Sequence, residues 1–329
     1  MAMKSTLAGV LAGLTLLAAA CGSDDDASTA TEVAVTTDAT GSAITTDPPD
    51  ATTGATDAGG PATGSAPGSE VPERIVSLSA THTETLFAIG AGDQVIAVDE
   101  QSNHPAEADA VMTDLSGYTP NVEAIAGYDP DLVVTSGDDE LTAQLEAVGI
   151  PVWVGPSAAT FDEAYTQIEQ LGAATGHVAE AAELVGQMQT DLEGLAADLP
   201  TSETPLTVFH ELSADGYSAS TDTFIGQVYA LFGLQNIADA ADDGTGYPQL
   251  NAEAIVAADP DLIFLADTKC CGESLETVAA RPGWAEMSAV VNGNVFAMDD
   301  DVASRWGPRV VEYAQQVHDA VQQALVPTG

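Results

Sequence analysis

Short runs of apolar residues alternate with helical patterns along the first half of the folded part of the chain. Strands are predicted at RIVSLS (74–79), QVIAVD (94–99) and PVWVG (151–155), and helices at 82–89 and 139–148. Such alternation is typical of α/β folds with largely parallel sheets. This half is therefore expected to form one α/β lobe.

The same alternation returns in the second half. LTVFHE (206–211) and NVFAMD (294–299) have the apolar character of buried strands. Helices are predicted at 222–233 and from about 304 to 325. A second α/β lobe is therefore expected after residue 200.

Two segments of similar sequence connect the halves. EAIAGYDPDLVV (123–134) and EAIVAADPDLIF (253–264) agree at most positions. Each predicts a short helix that ends at Asp129 or Asp259, because the residue before a proline disfavours the helical conformation. A buried strand of a parallel sheet then follows. An internal repeat of this kind indicates two lobes of like architecture.

The segment between the halves has the pattern of one long helix. Apolar residues recur every three or four positions from Val178 to Leu199, as on one helix face, and Pro200 ends the pattern. A helix of about 20 residues is about 30 Å long, so it can connect two lobes and limit their relative motion. We predict an α/β fold of two Rossmann-like lobes with mostly parallel sheets, joined by one long α-helix, with a ligand cleft between the lobes. The predicted N-terminal lobe, helical linker and C-terminal lobe occupy 72–159, 160–200 and 201–329.

The N-terminus has the pattern of an export signal. Lys4 precedes an apolar run that ends at Ala20, and Cys21 follows. This arrangement is a secretory signal peptide at 1–20, and it resembles a bacterial lipoprotein processing site in which Cys21 is lipidated. The alternative is ordinary signal cleavage beside an incidental cysteine. The rest of 21–71 is rich in Ser, Thr, Ala, Gly and Asp, which predicts a disordered tether.

The charge of the chain excludes several classes of partner. Six Lys and Arg stand against 51 Asp and Glu, for a net charge of −45. Nucleic acid binding requires cations that neutralise phosphates, so it is excluded. After the signal peptide no apolar run reaches the 18 or so residues that a membrane-spanning helix needs. Membrane attachment is expected through the lipid anchor only.

The few cations are concentrated in the second lobe. Lys269, Arg281, Arg305 and Arg309 lie within one stretch of 41 positions, 269–309. Their placement in so acidic a chain suits an anionic group on a ligand. For Arg281 and Arg309 the alternative is pairing with local carboxylates.

Three segments carry a resemblance to a known family. They are RIVSLSATHTETLFAIGAGDQVIAVD (74–99), GYTPNVEAIAGYDPDLVV (117–134) and SRWGPRVVEYAQQV (304–317). From about 72 to 326 the chain resembles the solute-binding proteins of ABC importers for ferric siderophores, cobalamin and haem. The resemblance implies an extracytoplasmic, monomeric binding protein, not an enzyme, that delivers a metal chelate to a membrane permease.

Strand ends and the loops after them are expected to line the cleft. The resemblance implies that Tyr217 and Tyr247 sandwich the ligand and that Arg305 contacts it, whereas Ser136 stands where cobalamin binders carry a tryptophan. The full candidate set is Tyr118, Ser136, Tyr217, Tyr247, Lys269, Cys270, Cys271, Asp301, Arg305 and Trp306.

The resemblance also implies one surface carboxylate per lobe that pairs with arginines of the permease. Glu253 matches the second-lobe residue, and Glu140 or its neighbour Asp139 matches the first. Such pairs mainly set orientation and encounter rate. The alternative is that both are ordinary solvated carboxylates.

Cys270 and Cys271 are adjacent and follow the predicted strand DLIFLAD. Export places them in an oxidising compartment. We predict a vicinal disulfide on the rim of the cleft, beside Lys269. A thiolate metal pair is the alternative, although no further cysteine is available to complete such a site once Cys21 is lipidated.

Two other classes of function compete with chelate binding. A free Zn²⁺ or Mn²⁺ binder would use His82, His104 and His210 as converging ligands, with His177 and His318 facing solvent. An enzyme or adhesin on the same fold is the other alternative. The chain lacks the Gly-x-Ser-x-Gly, phosphate-loop and His-Glu-x-x-His motifs.

Overall fold

The computed structural model describes residues 71–199 and 204–325. The predicted signal peptide, the lipidation site Cys21 and nearly all of the predicted tether lie outside these residues. Within them, no helix is both long and apolar enough to cross a membrane.

The first lobe is built on a four-stranded parallel sheet of order β2-β1-β3-β4. β1 and β3 are buried throughout, as expected of central strands that are covered on both faces. The strands are β1 (Ile75–Ser77), β2 (Val95–Val98), β3 (Leu132–Thr135) and β4 (Val152–Val154), and the helices are α1 (Ala80–Ala88), α2 (Val122–Ala126) and α3 (Asp139–Ala147).

The long helix that the periodicity predicts is confirmed as Val178–Asp198, and a second helix precedes it in the linker. α4 (Phe161–Thr175) ends at Gly176, whose φ of 81° turns the chain, and α5 (Val178–Asp198) follows. α5 packs against α4 and buries the predicted apolar face, including Met188. Val178 was wrongly assigned to that face, because it lies in the first turn and is exposed.

The second lobe repeats the first, with a parallel sheet of order β6-β5-β7-β8. The strands are β5 (Thr207–Glu211), β6 (Gln235–Asn236), β7 (Leu262–Leu265) and β8 (Val295–Ala297). The helices are α6 (Phe224–Leu231), α7 (Ala252–Ala258), α8 (Thr268–Cys271), α9 (Leu275–Ala279), α10 (Ser288–Asn292), α11 (Asp300–Ala303) and α12 (Val310–Leu325). The expected α/β fold of two parallel-sheet lobes is confirmed.

The internal repeat occupies equivalent places in the two lobes. Asn121 and Asn251 cap α2 and α7 by accepting a backbone N–H with the side chain. Asp129 and Asp259, the residues before the prolines, have left-handed φ angles of 52° and 46°. This conformation turns the chain from the helix into β3 or β7, so the predicted helix–strand order is confirmed.

The C-terminal helix begins later than predicted. The pattern favoured a helix from about residue 304, but α11 ends at Ala303 and α12 starts at Val310. Pro308 explains the break, because a proline disfavours the helical conformation of the residue before it. The non-helical segment between α11 and α12 carries Arg305 and Trp306 toward the first lobe.

A continuous apolar core includes both sheets and the linker. Ile75 of β1, Leu171 of α4, Phe264 of β7 and Tyr313 of α12 belong to one cluster of buried side chains. α12 also packs on α5. The two lobes are therefore held together by a shared apolar core.

Candidate functional site

A cavity of about 490 Å³ lies between the two lobes. The first lobe contributes residues that follow the carboxyl ends of β1, β2 and β3, which is where ligand sites form in parallel α/β sheets. The second lobe contributes the α11–α12 connection. The lining residues are Leu78, Ser79, Ala80, Thr81, Asp99, Gln101, Gly117, Tyr118, Ser136, Gly137, Asp138, Asp301, Ser304, Arg305 and Trp306.

Five of the ten predicted ligand-binding residues line this cavity. They are Tyr118, Ser136, Asp301, Arg305 and Trp306. Tyr118 is 83% exposed, so its ring is available for contact with a ligand. Trp306 donates its indole N–H to Gln167 Oε1 at 3.1 Å, which fixes the ring against the cleft wall.

Arg305 is almost completely buried and is held by the protein itself. Nη1 donates to Glu84 Oε1 at 2.6 Å and to Asn103 Oδ1 at 3.0 Å. Nη2 donates to the carbonyl of Gln101 at 2.9 Å and to Asp301 Oδ1 at 3.1 Å. The guanidinium therefore joins the two lobes, with its terminal nitrogens already occupied by protein acceptors.

Glu84 is the shared partner of two arginines. Its carboxylate lies at 1% side-chain exposure and also accepts from Arg309, whose Nε lies 2.9 Å from Oε2. The alternative for Arg309 was pairing with a local carboxylate. Arg309 does pair with a carboxylate, but that carboxylate lies 225 positions away in the sequence. Glu84 lies within the first of the three family segments, but its sequence context does not reveal this role. A buried carboxylate between two cations is stable only while those partners remain.

Asp301 connects the Glu84–Arg305 pair to the rim of the cleft. It accepts from Lys269 Nζ at 2.9 Å and from Asn103 Nδ2 at 3.0 Å, as well as from Arg305. Burial alone would raise the pKa of the Asp301 carboxyl, but the hydrogen bonds from Lys269 and Asn103 and the charge of Arg305 bring it below its ordinary value. Asp299 holds Lys269 from the other side, at 2.6 Å.

Cys270 and Cys271 form a vicinal disulfide in the structure, with Cα atoms 3.8 Å apart. They occupy the exposed end of α8, and Gly272 ends this helix with a φ of 76°. The backbone N–H groups of Lys269 and Cys270 donate to Asp300. The disulfide does not line the cavity, and Lys269 connects its turn to Asp301.

Tyr217 and Tyr247 lie away from the cavity lining. They are 47% and 49% exposed, and they occupy two segments that pair through the bridge between Tyr217 and Gln249. The carbonyl of Tyr217 accepts the N–H of Leu212, directly after β5. The two rings are thus exposed at the strand-end edge of the second lobe, but the described cavity does not include them.

A buried polar cluster supports the cleft wall behind Trp306. Burial lowers the pKa of His82 to about 4, so this imidazole is neutral near pH 7. Its Nδ1 lies 2.8 Å from Ser79 Oγ, and its Nε2 lies 3.2 Å from Gln167 Oε1. The ring also makes edge contacts with Trp153 and Trp306. His82 therefore packs and positions the wall of the cleft.

The histidines do not converge on a metal. His210 is fully buried in β5 beside Tyr229, and burial lowers its pKa to about 3. His104 is exposed. His318 was expected to face solvent and is instead buried, with a ring nitrogen 3.2 Å from Asp198. Among residues 71–199 and 204–325, no three His, Cys, Asp or Glu side chains form a group able to hold a metal ion.

Each cation of the described part of the chain has a protein acceptor. Arg281 pairs with Glu211 at 2.6 Å and with Glu273 at 2.7 Å, so the carboxylate-pairing alternative describes it correctly. Arg74 donates to the backbone carbonyls of Tyr128 and Asp129. The geometry therefore does not favour the expectation that these cations bind an anionic group on the ligand.

Two carboxylates of the cavity were missed by sequence reasoning. Asp99 accepts from Ser102 Oγ at 2.6 Å, and burial raises its pKa despite that hydrogen bond. Asp138 caps α3 by accepting from the N–H groups of Glu140 and Leu141. Asp99 is the last residue of a predicted strand, and Asp138 directly precedes a predicted helix, so their position at element ends could have indicated them.

The predicted docking carboxylates are both exposed and both lie in the first turn of a helix. Glu140 is in α3 of the first lobe, and Glu253 is in α7 of the second. Glu123, the repeat counterpart of Glu253, has the same kind of position in α2. Geometry alone does not separate Glu253 from Glu123.

Two α/β lobes with a polar cleft at their strand ends, connected by the helices α4 and α5, are the architecture of a solute-binding protein. A family model described as periplasmic binding protein matches residues 75–302. The chain belongs to this family of periplasmic binding proteins, as the resemblance implied.

Relatives extend the comparison. An uncharacterized ABC transporter substrate-binding lipoprotein, YvrC, of Bacillus subtilis is 33% identical over 76% of this chain and 80% of its own length. A cobalamin-binding protein of Halobacterium salinarum is 29% identical over 78% of this chain and 71% of its own length. The solved structure of a periplasmic haem-binding protein from Roseiflexus is 25% identical, with a TM-score of 0.68 over 77% of this chain and 98% of its own. These relatives are binding proteins rather than enzymes.

Proposed function

We propose that this protein is an extracytoplasmic, lipid-anchored binding protein that captures an iron–siderophore or cobalamin-type metal chelate and delivers it to an ABC permease. The observation that carries the proposal is the 490 Å³ cleft at the strand ends of two lobes in a chain of this family. Pockets of this size are typical of small-molecule sites. The names of the Bacillus and Halobacterium relatives support the transporter and chelate assignments.

The cleft offers flat apolar faces for a large chelate. The exposed ring of Tyr118 and the fixed ring of Trp306 lie on opposite lobes. Tyr217 and Tyr247 are exposed on the second lobe and would join these contacts through modest movement of the lobes. The disulfide Cys270–Cys271 and Lys269 would form a rigid edge of the site.

Fluorescence titration tests the ligand class. The full-length protein would be titrated with ferric hydroxamates, ferric catecholates, haem and cobalamin while tryptophan and tyrosine emission is recorded. We expect saturable quenching by at least one chelate, because Trp306 lines the cleft. Tight binding of Zn²⁺ or Mn²⁺ with no response to any chelate would contradict the proposal.

Permease docking is proposed to use Glu140 and Glu253, one exposed carboxylate on each lobe. Charge reversal to Lys at each position is expected to reduce uptake of the bound chelate by cells, without change in chelate affinity, because rim charges set orientation and encounter rate. Glu123→Lys is the matched control, since Glu123 has the equivalent helix position in the first lobe. Equal loss of uptake in the control would refute the assignment.

The lipid anchor is proposed at Cys21, which the YvrC comparison supports through its description as a lipoprotein. Cys21→Ala is expected to release the exported protein from the membrane fraction. Cell fractionation measures this release. Retention of the variant in membranes would show that another segment anchors the chain.

A further inference from the structure

Most of the charged side chains in the wall of the inter-lobe cleft are carboxylates. Asp99, Asp138 and Asp301 line it together with one arginine. The Asp138 carboxylate accepts only backbone N–H groups of α3 within the described part of the chain. No cation therefore offsets the charge of Asp138 at the point where it meets the cavity.

The single arginine of the wall does not supply free positive charge. Recognition of an anionic group by arginine commonly uses two neighbouring N–H donors. In Arg305 both terminal nitrogens already donate, to Glu84 and Asp301 among others. Turning Arg305 toward a ligand would weaken its pair with the buried Glu84, which is unfavourable because a buried charge depends on its partner.

The rim adds further negative charge. Lys269 is held between Asp299 and Asp301, so this trio keeps an excess of carboxylate. Asp300 lies beside it and accepts three backbone N–H groups of α8. Acidic groups thus outnumber cations along the second-lobe edge of the cleft.

We propose that this cleft selects metal chelates of neutral or positive net charge and rejects anionic ones. The inference rests on the proposed function of the cleft as a chelate site and adds its charge selectivity. A cleft lined by one sign of charge focuses the electrostatic potential on the ligand. Uncharged hydroxamate chelates and amide-rimmed corrinoids meet this requirement, whereas ferric catecholates and the two carboxylates of haem do not.

A matched chelate series isolates charge from shape. Ferrioxamine B carries a free ammonium group, its N-acetyl derivative is neutral at that end, and its N-succinyl derivative is anionic, with the same iron-hydroxamate core. Cyanocobalamin and its monocarboxylic acids form a second series. Calorimetric titration of the full-length protein is expected to show affinity falling by about tenfold from the most positive to the most negative member of the series that binds.

The outcomes separate the two proposals. Absence of binding by any chelate of any charge would refute the proposed function. Binding of a series without charge preference, or with preference for its anionic member, would leave the chelate site in place and overturn the charge selectivity.

Asp138→Asn tests the source of the selectivity. Asparagine caps a helix as well as aspartate does, so α3 is expected to remain intact while the charge is lost. The variant is expected to reduce the affinity ratio between cationic and anionic chelates by about threefold. Asp93→Asn is the matched control, because Asp93 is an exposed residue of the same lobe, before β2 and away from the strand ends. An equal change in both variants would overturn the role of Asp138.

Discussion

At the residue scale, Glu84 joins parts of the chain that are more than 200 positions apart. Its buried carboxylate accepts from Arg305 and Arg309 of the second lobe. The arginines stood out in the sequence because cations are rare, whereas Glu84 is one of 51 acidic residues. Composition therefore indicated the cations of this cluster but not their acceptor.

Glu84→Gln is expected to destabilise the protein strongly. Both guanidinium groups would lose their buried counter-charge, a change that costs about 3–5 kcal/mol in comparable buried pairs. Urea unfolding followed by circular dichroism measures the loss. Glu123→Gln, on the exposed face of α2, is the control and is expected to change stability by less than about 0.5 kcal/mol. An equally small effect of Glu84→Gln would contradict the claim that its ion pairs hold the two lobes together.

Asp267 is a buried acid whose carboxylate oxygens lack a hydrogen-bond partner among the described residues. Burial, together with the nearby charges of Glu211 and Glu273, raises its pKa to about 7. The unfolded chain releases this proton near pH 4. The group therefore favours folding below about pH 4, and that contribution is lost as the pH rises to about 7.

Asp267→Asn is expected to stabilise the protein at pH 8 by about 1–3 kcal/mol, because it removes the cost of a buried charge. The gain should be smaller at pH 5, where nearly all of the folded wild-type protein carries the proton on Asp267. Urea unfolding at both pH values measures the difference. Asp93→Asn, with the same chemical change on the surface, should show no such dependence; an equal gain at pH 5 and pH 8 would refute the pKa assignment.

At the element scale, the repeat shows which features a sequence reveals. The pairs α2–β3 and α7–β7 were predictable because Asp-Pro-Asp and the aliphatic run act locally. The short β6 was not, since Gln235–Asn236 has no apolar pattern and forms by pairing with β5. Prediction was successful where local signals decide the structure.

The residues of the candidate site divide in the same way, into those that local sequence signals reveal and those that depend on long-range packing. Tyr118, Ser136 and Trp306 were found because they occupy strand-end or connecting segments. The acceptors of Arg305 could not be found, because Gln101 and Asn103 meet it only once the two lobes are assembled. Long-range partners of a charged side chain depend on the packing of whole lobes.

The caps of the repeated helices give a testable consequence. Asn251→Ala removes the hydrogen bond from the N–H of Ala254, which is 2.8 Å long. Loss of such a cap costs about 1 kcal/mol. Asn251→Asp keeps the cap and should be nearly neutral, and Asn121→Ala should repeat the loss at α2. Thermal unfolding monitored by calorimetry distinguishes these variants, and equal stability of the Ala and Asp variants would exclude a role for the cap.

At the scale of the whole molecule, the lobes are joined by several independent contacts. The shared apolar core passes through α4, α5 and α12, while the pairs of Glu84 cross the cleft. Closure on a ligand is therefore expected to be a small adjustment about a stiff support. A large hinge motion would require both the core and the buried ion pairs to separate.

The net charge of −45 makes stability depend on salt. At low ionic strength the carboxylates of the surface repel one another and destabilise the compact state. Raising NaCl from about 0.1 to 1 M shortens the screening length from about 10 to 3 Å. The buried pair of Glu84 and Arg305 is screened much less, so the surface repulsion is reduced while this ion pair is kept.

We expect the unfolding temperature at pH 7.5 to rise by roughly 5 °C over this change in NaCl concentration. The same titration at pH 4, where many carboxylates are protonated, should give a smaller rise, and a fall in unfolding temperature at pH 7.5 would show that surface ion pairs outweigh the repulsion.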